Sequence, residues 1–172
     1  INTGYFYFDF LKSKTNFNVK PDEVLIAPSW NINKTNFINE NFENIINFLL
    51  KKNFKVIFRP HPETQKRSHE YLNFLKSKFY QKNFYYDDNY ENHHSMEKAM
   101  CLITDSSGIA IEYSLVLERP VIYFDDFDKI HNINFNEYAN IKTIDDIFKK
   151  EFGYTFNKDE INFLDMIINN AL

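Results

Sequence analysis

The sequence has few of the features that mark secreted, membrane-spanning or metal-binding proteins. It contains one cysteine among 172 residues, so no disulfide can form within a single chain. Cys101 stands in an apolar run with Leu102 and Ile103, which favours a small buried side chain over a redox or metal-binding thiol. The longest apolar stretches, such as Ile45 to Leu50, fall far short of the roughly 20 residues that cross a membrane. No disulfide framework and no membrane-spanning segment are therefore expected.

The charge balance and the start of the sequence exclude further classes of protein. Basic residues number 20 and acidic residues 24, and the formal charge of -4 supplies no overall field that favours nucleic acid or an anionic membrane. Any site for an anion must therefore be local. No basic segment is followed by an apolar run and a small-residue cleavage site, so we expect a soluble, cytoplasmic protein. The first residue, Ile1, suggests a sequence cut from a longer polypeptide.

Short apolar runs that alternate with amphipathic patterns indicate an α/β fold. The length suits a single domain, residues 1–172, with one hydrophobic core. Apolar runs predict strands at Val24–Ala27, Phe54–Phe58, Asn83–Tyr86, Cys101–Thr104 and Val121–Phe124. Three- and four-residue apolar spacings predict helices at Phe37–Lys52, Glu63–Phe79, His93–Met100, Ile109–Glu118, Ile144–Phe148 and Glu160–Ile168. This alternation predicts a doubly wound, Rossmann-like parallel sheet with its first strand central.

Three chemically distinctive segments follow strands of this predicted sheet. They are Pro28 to Trp30, Arg59 to Pro62, and Asp105 to Gly108. In doubly wound sheets, ligands bind beyond the carboxyl ends of the strands, where the strand order reverses. The sequence therefore predicts one cleft that all three segments line.

The segment Thr104-Asp105-Ser106-Ser107-Gly108 joins a strand to a helix whose first-turn amides have no acceptor within the helix. Those amides and the helix dipole favour an anion, and the serine hydroxyls can add hydrogen bonds to phosphate oxygens. A diphosphate fits such a site. The simpler alternative is that Asp105 or Ser106 caps the helix and that no ligand binds.

The segment Arg59-Pro60-His61-Pro62 follows the second strand, and its two prolines restrict the backbone around His61. A histidine can take a proton from a hydroxyl nucleophile, and a nearby arginine can offset phosphate charge. The pair therefore suggests phosphate chemistry. The alternative is a turn in which His61 caps a neighbouring helix.

The remaining polar candidates are less distinctive. Glu112 lies one helical turn beyond Gly108, where it can face the cleft and hold a ribose diol or can simply be solvated. Trp30 can border a base or sugar, or can anchor the core. The pair His93-His94 could suggest a metal, but adjacent helix positions diverge and no cysteine or carboxylate completes the ligand set. We therefore expect no metal or cofactor, and only surface roles for His69 and His131.

Taken in order, these segments resemble motifs of the CDP-glycerol glycerophosphotransferase family, the teichoic acid polymerases. The resemblance is to the carboxyl-terminal, donor-binding half of their GT-B fold. The segments that carry it are Gly4 to Leu11, Val24 to Trp30, Arg59 to Pro62, Thr104 to Gly108 with Glu112, and Arg119 to Phe124.

The resemblance implies transfer of glycerol phosphate, or a similar polyol phosphate, from a CDP-activated donor to a hydroxyl, with release of CMP. The acceptor would be a polymer or a lipid-linked hydroxyl in teichoic acid or capsule synthesis. It also implies an amino-terminal domain, absent from this sequence, that supplies the acceptor side and a further catalytic histidine. This chain alone would then bind donor without turnover. The full-length protein would be cytoplasmic and peripheral at the inner face of the membrane, with no nucleic-acid partner.

Within the resemblance, Ser106, Ser107 and the following amides hold the diphosphate, and Glu112 holds the ribose. Arg59 offsets charge and His61 acts on a proton, while Pro28, Trp30, Thr104 and Asp105 complete the donor site. The serine-containing loop is also similar to loops of UDP-sugar 2-epimerases and capsule glycosyltransferases. A GT-B enzyme that uses a UDP- or CMP-sugar is therefore the alternative enzyme, and a non-catalytic nucleotide-binding module is the alternative outside enzymes.

Overall fold

A computed structural model of the chain describes residues 4–30, 40–80, 83–90, 93–126 and 143–172. Its strands are β1 (Glu23–Ile26), β2 (Lys55–Phe58), β3 (Phe84–Tyr86), β4 (Ala99–Thr104), β5 (Val121–Phe124) and β6 (Gly153–Phe156). They form one sheet in the order β3-β2-β1-β4-β5-β6, and every neighbouring pair is parallel. The predicted doubly wound sheet with a central first strand is confirmed. The strand order reverses between β1 and β4, where such sheets bind ligands.

Both faces of the sheet are covered, which explains the unbroken apolar runs. Side chains alternate along a strand, so Val24 and Ile26 join one core cluster while Leu25 joins the other. All three side chains are fully buried. A strand that is covered on both faces needs apolar residues at every position rather than at alternate positions.

The helices of the described residues are α1 (Phe6–Lys14), α2 (Glu40–Lys51), α3 (Pro62–Arg67), α4 (His69–Lys78), α5 (His94–Lys98), α6 (Ile109–Leu117), α7 (Ile144–Phe152) and α8 (Leu164–Ala171). A 3₁₀ helix, Lys158–Phe163, precedes α8. Positions 37–39 of the helix predicted over Phe37–Lys52 lie outside the described residues. No helix in the described ranges is both long and apolar enough to cross a bilayer.

Two predicted helices are each divided in the structure. The helix predicted over Glu63–Phe79 breaks at Ser68, whose φ of -130° and ψ of 35° are not helical. The helix predicted over Glu160–Ile168 is a 3₁₀ turn followed by α8. Neither division changes the strands or the segments that follow their carboxyl ends.

The sixth strand was not predicted, because its sequence has no apolar run. Strand β6 lies at the edge of the sheet, where Phe156 is buried but Tyr154 and Thr155 are exposed. Its first residue is Gly153, where an added Cβ would lie 2.5 Å from the Tyr123 ring and 2.8 Å from the Lys149 carbonyl oxygen. The glycine therefore permits a close approach between β5 and the end of α7.

Helix α1 brings the start of the described chain to the same face as α5 and α6. Leu11 is its buried residue, and α1 packs against α6. The backbone N–H of Asn16 donates to the carboxylate of Glu97, at 2.7 Å, and Glu97 itself is buried. The segment that contains α1 is thus attached to α6 by packing and to α5 by this hydrogen bond.

Candidate functional site

A cleft of about 280 Å³ opens at the switch point between β1 and β4. Pro28 follows β1, and the segment Arg59 to Pro62 follows β2. Ser107 and Gly108 lead into α6, which begins at Ile109. Glu112 and Tyr90 complete the walls. The three strand-end segments therefore meet in one cleft, as the sequence predicted.

The structure brings six of the predicted site residues to this cleft. These six are Pro28, Arg59, His61, Ser107, Gly108 and Glu112. The other four, Trp30, Thr104, Asp105 and Ser106, lie outside the set of described residues that line it. Fewer residues of the motifs therefore line the cleft than the sequence predicted.

Thr104 and Asp105 connect the loop after β4 to the loop after β1. The Thr104 side chain is fully buried, and its Oγ1 donates to the Ala27 carbonyl oxygen at 2.7 Å. Asp105 accepts hydrogen bonds from the Ser29 N–H and the Ser29 Oγ, each at 2.7 Å. Both carboxylate oxygens are engaged by one residue of the neighbouring loop. These two side chains therefore hold the loops together beneath the cleft.

The first turn of α6 faces the cleft, and the residue at its N-cap position is Gly108, which has no side chain to cap the helix. The structure thus places neither Asp105 nor Ser106 at the N-cap position of α6. Gly108 precedes the helix with φ -56° and ψ -24°, and a Cβ added there would meet no described atom within 4 Å. The first amides of a helix and its dipole attract anions. The Ala110 and Ile111 N–H groups already donate to the Ser107 and Gly108 carbonyl oxygens. What this end of α6 offers an anion is therefore the positive end of the helix dipole and the open space beside Gly108.

His61 caps α3, which is the alternative that its sequence context left open. Its Nδ1 accepts a hydrogen bond from the Glu63 N–H at 3.1 Å, and Pro62 is the first residue of the helix. The half-buried imidazole also lines the cleft. Its ring lies 6.2 Å from the ring of Trp30 and is stacked on it. Capping and a place in the cleft therefore coexist in one side chain.

Trp30 borders this wall rather than anchoring the core. It is half-buried, and neither core cluster of the described residues includes it. The guanidinium carbon of Arg67 lies 5.3 Å from the centroid of its ring. The indole thus packs between His61 and a cation at the rim of the cleft.

Arg59 is held by residues that sequence reasoning missed. Its Nη1 lies 3.2 Å from Asp87 Oδ2 and 2.8 Å from Ser95 Oγ, and Arg59 is 8% exposed. Its guanidinium also lies 5.6 Å from the centroid of Tyr90. Asp87 follows β3 at the same edge of the sheet, so the strand-end rule could have included it. The cation is thus positioned and partly balanced before any ligand binds.

Tyr90 closes the wall beside Pro60 and had no sequence signal. Its hydroxyl donates to the Pro60 carbonyl oxygen at 2.7 Å and lies 2.9 Å from Oε1 of Gln65. Burial raises the pKa of Tyr90 to about 12, so its hydroxyl stays protonated at neutral pH. The hydrogen bond restrains the loop on the amino side of His61.

Glu112 lies on α6 one turn into the helix and is half-buried. Burial raises the pKa of its carboxyl group above the usual range, and the Arg59 charge opposes that rise. Burial and then the Glu112 carboxylate raise the pKa of the Tyr7 hydroxyl. Tyr7, on α1, therefore senses the charge of Glu112. Tyr7 lies in the segment Gly4 to Leu11 that carries the resemblance, but the sequence did not single it out as a site residue.

The remaining histidines lie outside the cleft walls. His93 and His94 begin α5, where His94 Nδ1 lies 2.9 Å from Glu97 and His93 Nδ1 has no hydrogen-bond partner among the described residues. His69 is exposed on α4, as predicted, and His131 lies outside the described residues. No group of three His, Cys, Asp or Glu residues that could hold a metal occurs in the described ranges.

A parallel sheet with this strand order and a cleft at its switch point defines a Rossmann-like α/β domain. The sequence model of one family, CDP-Glycerol:Poly(glycerophosphate) glycerophosphotransferase, matches residues 4–152. The chain belongs to this family. None of the curated proteins compared with the chain matches it in sequence.

Solved structures with GT-B-like folds are similar to the chain. The wall teichoic acid polymerase TagF is 19% identical with a TM-score of 0.51, covering 98% of this chain and 40% of TagF. UDP-GlcNAc 2-epimerase of Methanocaldococcus jannaschii is 20% identical with a TM-score of 0.53, and the match covers 98% of this chain and 43% of the epimerase. TarM is 16% identical with a TM-score of 0.54, and the match covers 92% of this chain and 30% of TarM. These likenesses show the fold, and the chain spans less than half the length of each structure.

Proposed function

We propose that this chain is the donor-binding part of a transferase that moves glycerol phosphate, or a similar polyol phosphate, from a CDP-activated donor to a hydroxyl. The observation that carries the proposal is the cleft at the β1–β4 switch point, in a chain of the glycerophosphotransferase family. The acceptor oxygen would bond to the phosphorus of the glycerol phosphate. The bond from that phosphorus to the bridging oxygen would break, CMP would leave, and the hydroxyl proton would be lost.

The diphosphate would lie against the first turn of α6. Ser107 and Gly108 line the cleft there, and their position combines a hydroxyl, open space and the positive end of the helix dipole. The dipole contributes about 0.3 to 1 kcal/mol for an exposed anion, so the hydrogen bonds must supply most of the affinity. Ser106 would support this contact from the preceding turn.

The nucleoside would lie along α6 and the loop after β1. Glu112 is in the cleft wall, where an ionised carboxylate can accept two hydrogen bonds from a ribose diol. Pro28 lines the cleft, and Trp30 lies at its rim beside His61. We assign Thr104 and Asp105 to the support of the loop, since their polar atoms bond to Ala27 and Ser29.

Arg59 would contribute charge without being a mobile phosphate clamp. Its guanidinium lines the cleft but is anchored by Asp87 and Ser95. Such an anchored cation costs little to position when the ligand arrives. Its charge would favour the ionised form of Glu112 and the diphosphate together.

The acceptor side would come from another domain of the whole protein. The chain covers 40% of TagF, so more than half of that relative's length has no counterpart here. We propose that an amino-terminal domain binds a polymer or lipid-linked hydroxyl, and that the chain alone binds donor without turnover. We also propose that the whole protein is cytoplasmic and works at the inner face of the membrane in teichoic acid or capsule synthesis.

Calorimetry of the chain with CDP-glycerol, CDP-ribitol and UDP-N-acetylglucosamine tests the donor. We expect a CDP-polyol to bind more tightly than the UDP-sugar. Ser107→Ala should weaken CDP-glycerol binding about tenfold or more, as expected for the loss of a hydrogen bond to a charged group. Ser114→Ala, on the same helix with its hydroxyl bonded to the Ile111 carbonyl, is the control that should bind normally.

Preference for the UDP-sugar would replace this proposal with a GT-B glycosyltransferase or an epimerase. Binding of nucleotides by the chain, followed by no transfer when the whole protein is given donor and acceptor, would support the non-catalytic module instead. Equal loss of affinity in the two serine variants would mean that α6 responds as a whole and that Ser107 has no contact of its own.

A further inference from the structure

A second groove, of about 320 Å³, lies between α2 and the 3₁₀ helix that precedes α8. None of the described residues that line it also lines the cleft at the switch point. Its polar and aromatic lining residues are Asn44, Asn47, Phe48 and Lys51 from α2, and Lys158 and Asn162 from the 3₁₀ helix. The function proposed above uses none of them.

The exposed face of α2 supplies most of this groove. Asn44, Asn47 and Lys51 recur at three- and four-residue spacings, so they form one stripe, and all three are exposed. The opposite face of the helix is apolar and buried in the core. Asparagine is a weaker helix former than alanine, lysine or glutamate, so helix propensity does not explain two asparagines in this stripe. A role in binding would explain them.

The charges around the groove favour an anion. Lys51 and Lys158 line it, and no aspartate or glutamate is among the described residues that do so. Glu160, on the same 3₁₀ helix, accepts a hydrogen bond from the Asn157 N–H at 3.0 Å. Asp159 follows Lys158 in the sequence but is not one of the lining residues. No carboxylate within the described lining therefore balances the two ammonium groups.

The remaining groups of the groove distinguish between kinds of anion. The amides of Asn44, Asn47 and Asn162 can each donate and accept hydrogen bonds, as hydroxyl groups require. The half-buried ring of Phe48 offers an apolar surface to carbon atoms. A free phosphate would leave the ring and the amides unused, and a neutral sugar would leave the lysines unused. A chain in which phosphodiester charges alternate with hydroxylated carbons uses all three kinds of group.

The shape of the groove suits a chain better than an enclosed small molecule. Its five polar lining residues are all exposed, whereas sites for small molecules bury most of the ligand surface. Asn44 and Lys51 are about 10 Å apart along the helix axis, at roughly 1.5 Å per residue. Because β1 and β2 are parallel, α2 returns from the cleft end of the sheet to the opposite end. The groove along α2 therefore leads away from the cleft.

We propose that this groove binds a polyol phosphate chain at a site separate from the donor cleft. The proposal rests on the function proposed above for the identity of the polymer, and on the groups of the groove for its chemistry. Lys51 and Lys158 pair with phosphodiester oxygens, the three carboxamides bond to hydroxyl groups, and the Phe48 ring contacts the carbons. No covalent bond forms or breaks. A chain held here stays near the cleft between transfers, which raises its effective concentration there.

Removal of the two groove lysines tests the charge contacts. Fluorescence anisotropy measures the binding of a labelled synthetic glycerol phosphate oligomer to the chain. Lys51→Gln combined with Lys158→Gln should weaken that binding about two- to thirtyfold, as expected for the loss of two exposed ion pairs. Lys20→Gln combined with Lys150→Gln removes the same charge from exposed positions outside the groove. This control pair should bind the oligomer as the wild-type chain does.

Asn47→Asp tests the groove with a side chain of nearly equal size. The new carboxylate repels phosphodiester groups, so oligomer binding should weaken about two- to fivefold. Asn18→Asp adds the same charge at an exposed position outside the groove and should bind normally. All of these variants should keep the wild-type melting temperature, because the substituted side chains are exposed. They should also keep the wild-type affinity for CDP-glycerol, because they leave the cleft unchanged.

Equal loss of oligomer affinity in the groove variants and their controls would overturn the proposal, since overall charge alone would then attract the polymer. Single-stranded DNA is a phosphodiester chain without free hydroxyl groups along it. If the groove bound DNA as tightly as the oligomer, recognition of the polyol would be wrong.

The outcome for the groove can be told apart from the outcome for the donor cleft. A wild-type chain that binds CDP-glycerol but no oligomer would overturn the groove and keep the proposed function. A chain that binds the oligomer through the groove lysines but binds no CDP-glycerol would support the groove and remove the proposed donor function.

Discussion

Asp105 and Ser29 are joined by two hydrogen bonds of 2.7 Å across the strand switch, one from the Ser29 N–H and one from its hydroxyl. Ser29 is 2% exposed, so water cannot replace either bond easily. The pair connects the loop after β1 with the loop after β4, which form facing walls of the cleft. The distance between those walls therefore depends on a contact beneath the site.

Replacement of Asp105 should reduce both stability and donor binding. Asp105→Ala leaves two buried donors of Ser29 unpaired, which costs about 1 to 3 kcal/mol of unfolding free energy. Asp105→Asn keeps one carbonyl acceptor and should cost less. Denaturant unfolding and calorimetry with CDP-glycerol measure the two effects. Glu151→Ala removes an exposed carboxylate as a control. An Asp105→Ala chain as stable as that control would contradict the bridging role.

Gly108→Ala should affect binding without harming the fold. The added methyl group meets no described atom within 4 Å, and the backbone is already helical, so stability should be unchanged or slightly raised. The same methyl group enters the space where the donor approaches α6, so CDP-glycerol should bind more weakly. Gly108→Leu should weaken binding further. Unchanged affinity in both variants would show that the donor does not approach this turn.

Gly153→Ala should have the converse effect. Its Cβ would stand 2.5 Å from the Tyr123 ring and 2.8 Å from the Lys149 carbonyl oxygen, so ring and backbone must both move. Overpacking of this kind costs about 1 to 3 kcal/mol. Urea unfolding should show the loss, while CDP-glycerol affinity below the melting range should match the wild-type chain. Together, Gly108→Ala and Gly153→Ala distinguish an effect on donor binding from an effect on stability.

Glu112→Gln should stabilise the free protein at neutral pH and weaken donor binding. Burial raises the pKa of Glu112, so the folded state favours its protonated form. That contribution is fully present below the ordinary glutamate pKa and is lost as the pH rises through the raised value. The glutamine variant resembles the protonated form at every pH.

Thermal unfolding at about pH 4 and about pH 7.5 measures this difference. We expect similar melting temperatures in acid and a higher value for Glu112→Gln at the neutral pH. Calorimetry should show weaker CDP-glycerol binding by the variant. A wild-type chain that is the more stable of the two at neutral pH would mean that Arg59 outweighs burial at this carboxylate.

Local sequence determined the α/β class and the location of the site. Val24, Leu25 and Ile26 form an unbroken apolar run, which is typical of a strand buried on both faces. Because such strands are parallel, the segments that follow them had to meet at one edge. The order of strands and loops in the sequence thus predicts that Arg59 to Pro62 and Ser107 to Gly108 line one cleft, and the structure shows that they do.

The tertiary structure decided how each polar atom is used. Asp105 bonds to Ser29, and Arg59 bonds to Asp87 and Ser95, across sequence separations that no local pattern encodes. The edge strand at Gly153 is defined by pairing with β5 rather than by apolar residues of its own. Donor and acceptor groups select partners by distance and direction in space, whereas a sequence specifies only their order and local spacing. The role of a motif residue therefore depends on which neighbours the fold brings within about 3 Å of it.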